Sequence, residues 1–160
     1  MLRGFFDFMA KMGLSVRDDP PKVIDLSIRT FGPAKGDMEL SVLQLTRDDP
    51  DALVSVSVVL RNAGQEPKAL TVPGWLGFYQ FDVRHPDGSP VAKTPFGRAL
   101  SHSSRKTERI DVSLAPGALH ETEVPLGSIF SLRPHGHYAV RASSQLSDGT
   151  LLQSNEIVLT

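Results

Sequence analysis

The sequence predicts an all-β protein, an antiparallel β-sandwich of roughly eight to ten short strands. Three observations carry this reading. Short segments alternate apolar and polar residues, most clearly Val54-Ser55-Val56-Ser57-Val58. Turn formers separate these segments, with 13 Gly and 12 Pro spread along 160 residues. No strand pattern is followed by a long helical one, which argues against parallel βαβ units.

The chain opens with an amphipathic pattern. Over residues 2–12 a helical period places Arg3, Asp7 and Lys11 on one line and Leu2, Phe5, Phe6, Phe8, Met9 and Met12 on the opposite arc. Gly13 is placed to cap it, while Gly4 weakens it. So short a helix is marginal in water, so its aromatic face must bury against something. That something is its own domain, a partner groove or a membrane surface, and Phe5, Phe6 and Met9 are candidate contact residues. The polar segment 14–22 ends in Pro20-Pro21 and reads as a linker. Residues 23–160 are then one domain.

Within that domain Val23–Ile28 alternates as a strand, Phe31 to Asp37 turns, and Met38 to Leu45 alternates again. Val54, Val56, Val58 and Leu60 are expected to face the core, with Ser55 and Ser57 on the other side. Asn62-Ala63-Gly64 turns the chain into a short edge strand over Lys68–Val72. Tyr79, Phe81 and Val83 share the next inward face, Pro86-Asp87-Gly88-Ser89 forms a hairpin turn, and Pro90–Lys93 returns. Residues 95–107 show no period and read as a long loop. Ile110, Val112 and Leu114 alternate, Ala115-Pro116-Gly117 turns, and Thr122 and Val124 lie on the following strand. Ser128–Arg133 makes a compact corner with Phe130 and Leu132 inside, and Asp148-Gly149 turns into a last strand carrying Ile157 and Leu159.

The strand after the corner opens with Gly136-x-Tyr138, with Val140 two residues on. A Tyr at that place fits a tyrosine corner, in which the phenol hydroxyl bonds back to upstream backbone. The domain is therefore expected to be an immunoglobulin-like sandwich with a short amphipathic helix before it.

The order of motifs from Val54 onward is Arg61-Asn62-Ala63-Gly64, Phe81-x-Val83, Asp87-Gly88, Leu114-x-Pro116-Gly117, Gly136-x-Tyr138-x-Val140 and Ser154-Asn155-x-Ile157. It resembles bacterial immunoglobulin-like domains, among them the intracellular proteinase inhibitor family and the sandwich domain of deuterolysin-type zinc endopeptidases. The resemblance covers about two-thirds of the chain and rests on turn and corner chemistry, which specifies fold rather than activity. It implies a loop-presenting protease inhibitor as one function. The HExxH zinc helix of the peptidases has no counterpart, since Thr122-Glu123-Val124 follows His120-Glu121.

Chemistry is sparse. The absence of Cys removes disulfides, thiolate metal sites and cysteine nucleophiles. His135-x-His137 lacks a third metal ligand at suitable spacing, although His120 is expected on a neighbouring strand. Asp48, Asp49 and Asp51 lack the Gly and distal Glu of an EF-hand loop. Ser101, Ser103 and Ser104 near His102 do not form a G-x-S-x-G elbow, and no Gly-rich phosphate loop opens a helix. No enzyme, cofactor or metal is expected. A net charge of −1 excludes a global pull toward nucleic acid. No apolar run is long enough to span a bilayer. Asp7 and Lys11 interrupt any signal-peptide core, so no clear export signal is read and the compartment stays open, cytoplasmic as written and cell envelope if the start is truncated.

The leading expectation is a non-catalytic protein-interaction module using a sheet edge, the 95–107 loop or the helix. Arg98, Arg105 and Lys106 give that loop a basic character suited to an acidic partner. A protease inhibitor, and a structural or cell-envelope domain contacting its neighbour through the helix, are the alternatives.

Overall fold

The computed structural model describes residues 28–46, 52–73, 79–102, 109–134, 136–146 and 149–160. The expected N-terminal helix, the expected linker and residues 23–27 of the first expected strand lie outside these residues, as do Asp48, Asp49, Asp51 and His135.

The protein is all-β. Its strands are β1 (Met38–Gln44), β2 (Val56–Asn62), β3 (Lys68–Pro73), β4 (Gln80–Arg84), β5 (Arg109–Leu114), β6 (Leu119–Val124), β7 (Tyr138–Gln145) and β8 (Leu151–Leu159). Among the described residues two helices interrupt them, α1 (Pro95–His102) and α2 (Leu126–Ile129). Six strands form one curled sheet in the order β4-β7-β8-β1-β2-β6, and β3 pairs with β5 in a separate two-stranded sheet. Both sheets feed one core. Met38, Leu40 and Val42 of β1 meet Val56, Val58 and Leu60 of β2, Val140 of β7 and Leu152 of β8, with Leu70, Leu114, Leu126 and Phe130 closing it.

The antiparallel expectation fails at one seam. β1 and β8 run parallel with a single pair in register, Leu40 and Ser154, whereas every other neighbour is antiparallel. Side-chain amides complete the seam where backbone pairing stops. The Asn155 amide oxygen accepts from Val42 N–H at 2.9 Å, and its NH₂ donates to Val42 C=O at 3.2 Å. Gln44 does the same for Thr160, accepting from its N–H at 3.2 Å and donating to its C=O at 3.3 Å. Each amide stands in for one peptide group and keeps the backbone satisfied.

The residues before β1 form a strap. Ile28 is exposed and lies outside any strand, and Phe31–Asp37 is more than a turn. Gly32 N–H donates to Leu40 C=O at 2.9 Å, and a Cβ on Gly32 would overlap the Gln153 carbonyl oxygen. Thr30 C=O accepts from Ser41 Oγ at 2.8 Å. The Arg61 guanidinium lies 3.9 Å over the Phe31 ring and is paired with Glu39.

Asn62 ends β2 and is fully buried. Its amide oxygen accepts from Gly64 N–H at 2.9 Å, while its NH₂ donates to the carbonyls of Glu66 at 2.7 Å and Leu114 at 3.0 Å. Its backbone N–H donates to Ala118 C=O, and its own C=O accepts from Gly117 N–H. One side chain thus joins the end of β2 to the β5–β6 turn, which accounts for the Asn-x-Gly motif.

The Tyr138 corner is formed. Its hydroxyl accepts the Arg133 backbone N–H at 2.8 Å. The ring lies across Gly136, where a Cβ would sit 2.6 Å from the Tyr138 Cε2 and 2.8 Å from its Cζ. Gly136 is needed for that close approach.

Candidate interaction surfaces

The long loop expected at 95–107 is corrected by α1, which takes its first eight residues. Thr94 caps the helix, its Oγ1 accepting from Gly97 N–H at 3.0 Å, and Pro95 occupies the first helical position. Phe96 and Leu100, one turn apart, are both partly buried against the core. Thr-Pro followed by this apolar pair is a helix-start signal that period counting over 95–107 passed over.

α1 is fixed to α2. Thr94 Oγ1 donates to Ser128 C=O at 2.6 Å, and Thr94 N–H donates to Ile129 C=O at 2.9 Å. Ser131 N–H donates to Ala92 C=O at 2.9 Å, and Lys93 bridges Phe130. A Cβ on Gly97 would overlap the Ile129 carbonyl oxygen, so the two helices touch backbone to backbone. Of the six candidate contact residues, Arg98 lies on this helix and is exposed, its Nη1 donating to Lys93 C=O at 2.9 Å. Phe5, Phe6, Met9, Arg105 and Lys106 lie outside the described residues.

The curled sheet has two outward faces, and they differ. On β1 and β2 the outward side is covered at its centre. Ser41, Ser57 and Val59 have 0% exposure, so Ser57, on the side of β2 away from the core as expected, is nonetheless buried. The strap explains much of this. The Arg29 side chain, 3% exposed, donates to Ser57 Oγ and sits 3.6 Å from the Glu121 carboxylate. Burial pulls the Arg29 pKa down, and Glu121 opposes that by favouring the charged form.

On β4, β7 and β8 the outward side is bare. Register aligns Asp82, Arg141 and Glu156 in one row across the three strands. Arg84 and Ala139 pair in the next row, with Val158 beside them. Arg84 bonds Asp82 at 3.0 Å and Arg141 bonds Glu156 at 3.2 Å, all four exposed. Val158 at 60% and Leu151 at 47% are among the most exposed large apolar residues described.

The hairpin turn projects beside this face. Gly88 has φ +86°, His85 N–H bonds Ser89 C=O at 2.8 Å, and Arg84 Nη1 bonds Gly88 C=O at 2.9 Å. Ser89 donates to the Asp87 carboxylate from both its hydroxyl and its backbone N–H, holding the Asp87 pKa below its ordinary value.

His120 and His137 do not gather. His120 on β6 and His137 just before β7 stand on strands separated by three others, so β6 is not the expected neighbour. Among the described residues no group of three metal-ligating side chains forms. His120 lies on the side of β6 that faces Leu60 and Val124, and burial lowers its pKa. Tyr79, 5% exposed, faces Thr122 on the same side of β6, and burial raises its phenol pKa.

No family model matches the chain, and no curated protein matches it.

Proposed function

We propose that the protein is a non-catalytic interaction module with an immunoglobulin-like sandwich, binding a protein partner through the outward face of β4, β7 and β8. The sandwich reading is supported by two antiparallel halves, β6-β2-β1 and β4-β7-β8, meeting at one short parallel seam, and by the Tyr138–Arg133 bond. The binding reading rests on one observation, the contrast between the strapped outward face and the bare one. A face with Val158 and Leu151 exposed around a row of charges combines apolar contact area with groups that fix register.

The test is cross-linking and capture from the native cell with wild type, Val158→Asp and Arg141→Glu. Val158→Asp replaces an exposed side chain, and Arg141→Glu sets like charges beside Asp82 and Glu156, so each variant should lose no more than about 1 kcal/mol and stay folded. Loss of the captured partner from a variant that still melts cooperatively supports the reading. Equal capture by all three proteins removes this face from it.

A second reading is favoured by the braced turn at His85–Ser89, where every residue is exposed. A loop-presenting protease inhibitor needs a projecting segment held in one conformation. Stoichiometric inhibition within a panel of endopeptidases, with protection mapping to this turn, would select it.

A further inference from the structure

Residues 90–102 and 125–138 lie side by side, joined by the Thr94, Ser131 and Lys93 contacts described above. Together they present Lys93, Arg98 and Arg133, all exposed, and contain no Asp or Glu. The Tyr138 hydroxyl holds the Arg133 N–H. In a chain of net charge −1 with 18 acidic residues, this is a segregated positive corner. Five ion pairs form between described residues, and none includes Arg98 or Arg133.

We propose that this corner docks an acidic polypeptide segment of a partner protein. Charge complementarity identifies the occupant. Arg98 and Arg133 offer planar guanidinium forks to carboxylates, which accept them two bonds at a time. The corner is also built in advance. α1 is capped, seated on α2 backbone to backbone, and Arg98 is tethered to the Lys93 carbonyl. Cations already held in place lose less side-chain freedom on binding. Nucleic acid fits less well, because so few cations in an overall anionic chain release few counterions. An anionic membrane surface calls for about four to eight clustered Lys and Arg. The corner and the bare sheet face share no residue, so either can bind when the other does not.

The test uses the full chain and a fluorescein-labelled peptide of alternating Glu and Gly, read by anisotropy at about 50 mM salt, where surface charges are weakly screened. Arg98→Glu/Arg133→Glu is compared with Lys35→Glu/Lys68→Glu, which makes the same charge change on residues outside both proposed surfaces. Wild type and this control variant should bind alike, and the corner variant should bind at least about tenfold more weakly. Arg98→Gln/Arg133→Gln, which reverses no charge, should fall between them. A labelled oligonucleotide of equal charge and vesicles containing phosphatidylserine are run in parallel. The proposal is overturned if wild type does not bind the peptide, if both reversals weaken it equally, or if the oligonucleotide or the vesicles bind more tightly.

Discussion

Tyr138→Phe removes one atom from the corner and tests the device that anchors the strand after it. The phenol oxygen accepts Arg133 N–H at 2.8 Å, while the ring is 5% exposed and stays in place in the variant. A net hydrogen bond is worth about 1 kcal/mol. Arg133 is exposed, so water can reach the released N–H and keep the cost near that figure. For a domain of this size the melting temperature should fall by about 2–4 °C. The midpoint of urea unfolding should fall with its slope unchanged, since little surface is added to the unfolding transition. Gly136→Ala is the partner perturbation. Its Cβ would meet the ring at 2.6–2.8 Å, so the ring must move, at about 1–3 kcal/mol. In a Tyr138→Ala background the same change should cost almost nothing, and the missing cost is the coupling of the pair. A neutral Tyr138→Phe, or additive behaviour of Gly136→Ala and Tyr138→Ala, would refute the corner as a source of stability.

Other sites give sharp expectations. Asn62→Asp turns two donated bonds into oxygen facing the Glu66 and Leu114 carbonyls at a fully buried site, and should cost at least about 3 kcal/mol in chemical denaturation. Glu121→Gln leaves the buried Arg29 guanidinium without its counter-charge and should cost about 1–3 kcal/mol, read as a lower melting temperature. His120 has a folded-state pKa below its unfolded one, so the unfolded chain takes up the proton first as pH falls. Its contribution is present above about pH 6.5 and is lost progressively as pH falls below that, and His120→Gln should flatten stability against pH there. An unchanged slope in the variant would show that His120 is not its source.

Most of the all-β organisation was legible because it rests on local rules. Val56, Val58 and Leu60 point inward because alternation forces them to, and Gly88 and Gly117 turn at positive φ where Asp-Gly and Pro-Gly placed them. What escaped was long-range or borrowed from side chains. The parallel seam between β1 and β8 depends on Asn155 reaching Val42, 113 residues away, and no periodicity records such a partner. α1 was hidden for a different reason. One turn-spaced pair, Phe96 and Leu100, packs against the core, too little for a period to emerge, and its real signature is the Thr94-Pro95 start.

Candidate surfaces are harder to read than the fold, and the two outward faces show why. Ser57 on β2 and Ser143 on β7 would both be written polar in a strand pattern, yet Ser57 has 0% exposure and Ser143 is half-buried. The difference comes from Arg29, 28 residues upstream, which crosses the first face and bonds Ser57. Alternation tells which side of a strand a residue is on, and says nothing about whether another segment lies over that side. The positive corner has the same origin. Lys93, Arg98 and Arg133 are scattered singly in sequence, and the bonding of α1 to α2 brings their two segments together. A surface made by apposition of distant segments carries no periodic signature, so its residues have to be found through the contacts that assemble it.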